Sequence, residues 1–229
     1  MSLSPARISE LLRPYTVGAE SFSFAWPRIH EQLAVYLDLL LKWNARVNLT
    51  AIRSPEEIVR RHFGESLFAG LRLNCSTWNN SGSESAITPQ PWCDSLLDFG
   101  SGAGFPGLPI QLLWPGLPVT LAEARHKKAS FLREVVRSLN LKTEVWADRV
   151  ENMPASRQFS MVTMRAVDEM ENAVSTAALR SRDRLIILGT QSANYSVLSG
   201  SFSGPERTAI PETSNGALLV YRRRRSKLG

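Results

Sequence analysis

The run Leu96-Leu97-Asp98-Phe99-Gly100-Ser101-Gly102-Ala103-Gly104-Phe105-Pro106-Gly107 limits what this chain can fold into more than any other stretch. Its opening apolar residues read as a buried strand. Glycines follow at 100, 102, 104 and 107, and Pro106 stands where a helix would begin. Glycine allows positive φ and lets backbone approach a ligand with no Cβ between them. Proline suits the first turn of a helix, whose N–H groups lack intrahelical partners. Strand, glycine loop and helix, in that order, make the nucleotide-binding edge of a parallel α/β sheet.

The loop alone leaves two ligands open. Gly102 to Gly107 matches the Gly-x-Gly-x-x-Gly of dinucleotide sites, and the same loop shape serves S-adenosylmethionine (SAM) methyltransferases. The pattern after it narrows the choice. Short apolar runs at 95–99, 119–122, 143–147, 159–164 and 185–188 read as strands. Helical patterns over 106–113, 127–139 and 168–179 separate them, with a short turn or helix at Asp148–Glu151. Such alternation implies a parallel sheet with helices on both faces. Two final strands, near 206–210 and 217–222, flank Asn215-Gly216, a good hairpin pair. The expected fold is therefore α/β: a doubly wound, mostly parallel, seven-stranded sheet of the SAM-dependent methyltransferase (Rossmann-like) type, with an N-terminal helical extension.

That extension covers residues 1–75. Ile8, Leu11 and Leu12 fit one face of a short helix stopped by Pro14. Ile29, Leu33, Tyr36, Leu37, Leu40 and Leu41 recur at helical spacing. Lys42 to Thr50 mixes Trp, Asn and basic residues, and composition favours a packed loop over a contact surface. Ser54-Pro55-Glu56-Glu57 is a helix start with a capping box. Ile58, Val59, Phe63, Leu67 and Phe68 supply its apolar face, and His62 reads as a structural hydrogen-bonder. Residues 76–94 form a polar, turn-rich linker or insertion. The cofactor-binding domain then runs from 95 to 229 and ends in a basic tail.

The 229 residues carry a formal net charge of +6, which favours a polyanionic partner such as nucleic acid. Cys75 and Cys93 give no metal spacing and no disulfide framework, which suits a reducing cytoplasm. No apolar run approaches the ~18 residues of a membrane span, and the N-terminus lacks an apolar signal core. A monomeric cytoplasmic protein with no metal and no membrane partner is expected.

Ligands of open α/β sheets bind at the carboxyl ends of the strands. Gly100, Ser101, Gly102, Gly104 and Phe105 fall there after the first strand. Glu123, with Ala124, ends the second, where an acid accepts hydrogen bonds from ribose hydroxyls. Arg149, Val150 and Glu151 follow the third, in reach of an adenine ring. Arg165 follows the fourth, near the reacting end of the cofactor. Asp98 either fixes the loop or contacts the cofactor amine. Arg222, Arg223, Arg224 and Arg225 are either a solvated end or phosphate contacts that join Arg60, Arg61, Lys127 and Lys128 in a basic surface around the site.

These residues resemble the RsmG (GidB) family, the bacterial small-subunit rRNA guanine-N7 methyltransferases. The resemblance lies in Lys42-Trp43-Asn44 with Asn48-Leu49-Thr50, in His62-Phe63-Gly64-Glu65-Ser66-Leu67, and in Leu97 through Gly107. It continues in Phe131-Leu132, Arg149-Val150-Glu151 and Arg165-Ala166. It implies SAM as cofactor, with Gly100, Phe105, Val150, Glu151 and Arg165 in contact with it. It implies small-subunit (16S) rRNA or the 30S subunit as partner. Three departures stand out. Glu123-Ala124 replaces the family's usual Asp-Ser, Leu188-Gly189 replaces a frequent Lys-Gly, and His62-Phe63-Gly64-Glu65 replaces His-Phe-x-Asp.

Guanine N7 carries a lone pair and no proton, so its methylation needs no general base. Alignment and electrostatic fit then suffice, with Arg165 in a positioning role. The alternatives are a divergent SAM methyltransferase acting on a small molecule or protein, a SAM- or RNA-binding module without turnover, and an NAD oxidoreductase.

Overall fold

The computed structural model describes residues 3–19, 24–74, 93–166 and 170–224. The expected linker up to residue 92, Cys75 and Arg225 lie outside them.

The N-terminal segment is helical. α1 (Pro5–Leu12) is capped by the Ser4 hydroxyl, which accepts from Arg7 N–H. α2 (Trp26–Val47) buries Ile29, Leu33, Tyr36, Leu37 and Leu40 along one stripe. α3 (Pro55–Ile58) starts at Ser54, whose hydroxyl accepts from Glu57 N–H. A π-helical stretch, Val59–Gly64, leads into α4 (Glu65–Leu71).

One expectation fails here. Residues 42–47 are not loop but the last turns of α2. The indole N–H of Trp43 donates to Glu134 at 3.0 Å. Asn44 brackets Thr50, donating to its carbonyl and accepting from its N–H, both at 3.0 Å. Asn48 ends the helix in the left-handed region at φ 48°. The polar residues that suggest a loop are thus satisfied by partners distant in sequence or just past the helix.

The sheet follows as β1 (Leu96–Phe99), α5 (Gly107–Leu113), β2 (Val119–Ala122), α6 (His126–Ser138), β3 (Glu144–Trp146) and β4 (Phe159–Arg165). It closes with α7 (Met170–Arg180), β5 (Ser181–Thr190), β6 (Phe202–Ala209) and β7 (Gly216–Arg223). Strand order is β3-β2-β1-β4-β5-β7-β6. The first five strands are parallel, and β7 inserts antiparallel between β5 and β6. This is the seven-stranded α/β sheet expected from the alternation of strands and helices. The hairpin turn differs in detail. The chain reverses over residues 210–215, with Glu212 at φ 57°, and Gly216 opens β7 while its N–H donates to the Thr213 hydroxyl.

Alternation along each strand splits the core between the two faces of the sheet. Leu96, Met161, Ile186 and Leu218 join one cluster with α1, α2, α4, α5 and α6. Their neighbours Leu97, Val162, Ile187 and Leu219 join the other, with Val174 and Ala177 of α7. The N-terminal helices therefore share a core with α5 and α6 on one face. They bring α2 and the π-helical stretch to the carboxyl ends of the strands.

Candidate active site

A cleft of about 800 Å³ opens at the carboxyl ends of β1 to β4. Its floor is Phe99 to Ala103 after β1, with Ala122 to Arg125 after β2, Asp148 to Glu151 after β3, and Arg165 and Ala166 after β4. Leu49, Thr50 and His62 close it from the helical side. Of the expected cofactor residues, the cleft gathers Gly100, Ser101, Gly102, Phe105, Glu123, Ala124, Arg149, Val150, Glu151 and Arg165. Asp98 and Gly104 are not on its wall.

Asp98 is fully buried beneath the loop. Its carboxylate accepts from Gly107 N–H at 3.1 Å and from the Thr163 hydroxyl at 2.9 Å. Burial lifts its pKa to about 6, and the bonds from Thr163 and Gly107 oppose that rise. Of its two expected roles the structure supports the first: Asp98 fixes the loop. Gly107 must be glycine for α5 to sit so close, since a Cβ there would meet the Asp98 side chain at 2.8 Å and Leu121 at 2.5 Å.

Gly102 has a different reason. It sits at φ 59°, and a Cβ there would meet nothing nearer than the Gly100 carbonyl at 3.9 Å. Its open side is the cleft. The Glu123 carboxylate holds this turn, accepting from Gly102 N–H at 2.9 Å and from Arg125 N–H at 2.7 Å. Each carboxylate oxygen has further lone-pair capacity.

Arg165 ends β4 with its side chain nearly buried. One guanidinium nitrogen lies 2.9 Å from a Glu65 oxygen and donates to the Arg61 carbonyl at 2.9 Å. Burial lowers the Arg165 pKa and Glu65 opposes the shift. Its Nη1 is buried with no hydrogen-bond partner. His62 stacks on Phe105 with ring centroids 4.7 Å apart, and its Nε2 lies 2.7 Å from the Thr50 hydroxyl. Burial, then Arg165 and Arg61, push His62 down to about 3, so the ring is neutral. Sequence reasoning assigned neither Glu65 nor Thr50 a role, and it read His62 as structural only. All three lie in the stretches that carry the family resemblance.

The basic residues divide. Lys128 lines the cleft and Lys127 is exposed beside it on the first turn of α6. Arg61 pairs with Glu65 at 2.8 Å, and Arg60 with Glu56 at 3.6 Å. The tail arginines are elsewhere. Arg222 pairs in register with Arg184 near the start of β5, the end of the sheet opposite the cleft. Arg222 is bridged to Glu206, Arg223 donates to Ser181 and Ala178 carbonyls, and Arg224 donates to Phe202. The expected single basic surface around the site is therefore not formed by residues 222–224. Their strand runs antiparallel and carries them away.

Among the described residues no group of three or more His, Cys, Asp or Glu side chains could hold a metal ion. Among them, too, no helix is long and apolar enough to cross a membrane.

Residues 29–196 match the GidB family, described as rRNA small subunit methyltransferase G. The chain belongs to the GidB family. It is 36% identical over 208 residues to the Ribosomal RNA small subunit methyltransferase G of Chloroflexus aggregans, covering 83% of this chain and 80% of that one. It is 44% identical over 145 residues to the protein of the same name from a Roseiflexus species, covering 61% of this chain and 55% of that one. Among solved structures, a predicted O-methyltransferase, Atu636 from Agrobacterium tumefaciens, matches with a TM-score of 0.49 at 19% identity, over 58% of this chain and 74% of that one.

The GidB family is SAM-dependent, which makes SAM the cofactor to test against this cleft. The residues present fit that cofactor. Gly102 leaves its cleft side open, the buried Glu123 carboxylate has acceptor capacity to spare, and Arg165 Nη1 is an orphaned donor.

Proposed function

We propose that this protein transfers the methyl group of SAM to N7 of a guanine in 16S rRNA. It does so as a monomer in the cytoplasm, acting on the small subunit or its rRNA. The observation that carries the reading is the cleft itself. A positive-φ glycine turn is pinned by an acid from the next strand, at the carboxyl edge of the sheet, in a GidB chain.

SAM, when bound, supplies an electrophilic methyl group on a sulfonium. The chain holds and orients. Gly100 to Gly102 let backbone approach the cofactor, Glu123 accepts from its ribose hydroxyls, and Arg149, Val150 and Glu151 receive its adenine. Arg165, immobilised by Glu65 and the Arg61 carbonyl, presents its remaining N–H groups at the reacting end. N7 has no proton to lose, so no residue serves as a general base, and the neutral His62 agrees with that chemistry. The target base leaves its stack to enter the cleft, as in other enzymes acting on bases. Lys127 and Lys128 sit at the rim for phosphates, which set affinity and position rather than base choice.

The test is incubation with labelled SAM and unmethylated small subunits, followed by nucleoside analysis. Label in N7-methylguanine of the rRNA is expected. No transfer at any salt concentration would sink the reading.

A further inference from the structure

The turn assigned to adenine hangs from the weakest strand of the sheet. β3 is three residues long, stands at the sheet edge, and none of its residues is buried. The cleft wall continues from it through Asp148 to Glu151, and Val150–Asn152 form a single helical turn there. Local bonds shape that turn. Asn152 N–H donates to the Arg149 carbonyl at 3.2 Å and Met153 N–H to the Val150 carbonyl at 3.0 Å. The Trp146 indole N–H donates to the Arg149 carbonyl at 3.1 Å. All of these bonds run within residues 146–153, so they fix the shape of the turn but not its place against the cleft.

Arg180 supplies that place. It is the last residue of α7, and it is buried although it is charged. Its Nη1 donates to the carbonyls of Pro154 at 2.6 Å and Arg157 at 3.2 Å. Its Nη2 donates to those of Met153 at 2.8 Å and Val150 at 3.2 Å. All four acceptors are main-chain carbonyls of one segment, residues 150–157, and none is a carboxylate. Carbonyl dipoles aimed at one point repel unless donors stand between them, and a buried guanidinium needs such acceptors. The helix behind is itself fixed. Val174 and Ala177 of α7 are fully buried in the same apolar cluster as Val150 and Met153.

We propose that Arg180 is a positioning residue for the cofactor: from behind the turn it sets where Val150 and its neighbours meet the adenine ring. Arg180 does not line the cleft, so it acts through the turn and not by contact. This rests on the reading of residues 149–151 as the adenine contacts.

The geometry asks for arginine. A guanidinium offers five N–H groups in a planar fork, whereas an ammonium offers three from one nitrogen. Arg180→Lys keeps the charge but serves fewer of the four carbonyls, and Arg180→Met serves none. A turn held only by a three-residue edge strand then settles away from its place on the cleft wall. Misplacement by about 1 Å is enough to lose much of what a distant positioning contact provides.

The experiment uses the full chain with labelled SAM and unmethylated small subunits, and calorimetry with S-adenosylhomocysteine alongside. Arg180→Met should raise the KM for SAM and weaken S-adenosylhomocysteine binding by ~10-fold or more, and Arg180→Lys by ~3-fold. In both variants kcat at saturating SAM and the KM for small subunits should stay within about threefold of the parent. This split separates positioning from support of the fold. A partly unfolded variant has less active protein, which lowers kcat and leaves the KM for SAM unchanged. Circular dichroism at the assay temperature follows folding. Parent-like SAM affinity in folded Arg180→Met overturns the proposal, as does a KM for small subunits that rises in step with the KM for SAM. Should Arg180→Met not fold, parent-like SAM affinity in Arg180→Lys overturns it. Failure of both variants to fold overturns it too, since Arg180 would then serve the fold as a whole. Each of these outcomes leaves the cofactor reading intact, whereas a parent protein that binds no S-adenosylhomocysteine contradicts that reading and the proposal with it.

Discussion

The Glu65 carboxylate lies 2.9 Å from the Arg165 guanidinium, and only 7% and 14% of the two side chains are exposed. This joins the first turn of α4 to the end of β4 and ties the helical wall of the cleft to its floor. Removing one partner of a buried pair strands the other charge, typically at about 3–5 kcal/mol. Glu65→Gln should therefore cost about 3 kcal/mol in urea unfolding and lower methyl transfer as Arg165 loses its fixed direction. A stability loss within the ordinary surface range, about 0.5 kcal/mol, would show that the pair is not buried as described.

Gly102→Val should fold and fail to bind SAM. A Cβ at this position meets no protein atom closer than the Gly100 carbonyl at 3.9 Å, so the valine side chain starts on the open side that faces the cleft. Its φ of 59° adds strain of about 1–3 kcal/mol for a non-glycine residue. Calorimetry should find at least a ~100-fold weaker SAM affinity. Equal affinity in variant and parent would refute the loop assignment.

Asp98 makes a pH prediction whose sign is set by its raised pKa. At about 6 it lies above the unfolded value, so the folded protein holds this proton more tightly. Its contribution to stability is full below about pH 4 and declines as pH rises to about 6. The total change is up to about 3 kcal/mol. Asp98→Asn cannot titrate, yet it offers an acceptor to Gly107 N–H and a donor to Thr163. The difference in unfolding free energy between parent and variant should shift across that window and be flat above pH 7. A flat difference throughout would mean Asp98 is not desolvated.

The two basic faces should separate by salt. Lys127 and Lys128 adjoin the cleft, whereas Arg222 is bridged to Glu206 at the far edge of the sheet. Lys127→Ala with Lys128→Ala should weaken rRNA binding and reduce the slope of log affinity against log salt by up to about 1 for each phosphate no longer neutralised. Arg222→Ala should leave the slope unchanged. The reverse pattern would move the RNA path to the sheet's other end.

Much of this architecture is legible in the chain. Leu96 to Phe99 followed by positive-φ glycines at 100, 102 and 104 locates the cleft. The acid at Glu123 lies where the register with β1 puts it, because Phe99 pairs with Ala122. These are short-range patterns: short strands buried at every position, one ending in glycines and the other in an acid.

What the chain conceals is tertiary. Trp43 looks out of place in a helix until Glu134 of α6 takes its N–H. The run Arg222 to Arg224 announces charge, but only the antiparallel pairing of β7 with β5 reveals which end of the sheet holds it. His62 on its own is one histidine beside one phenylalanine. Its place opposite Arg165 depends on the π-helical stretch, the Thr50 hydroxyl and the Phe105 ring, brought together from three separate segments.

The most direct test of the central claim is a crystal structure of the protein with S-adenosylhomocysteine. The nucleoside should lie against Gly100 to Gly102, with its ribose hydroxyls on the Glu123 carboxylate and its adenine beside Val150. Density for it anywhere else, or a Glu123 carboxylate turned away from it, would contradict the claim.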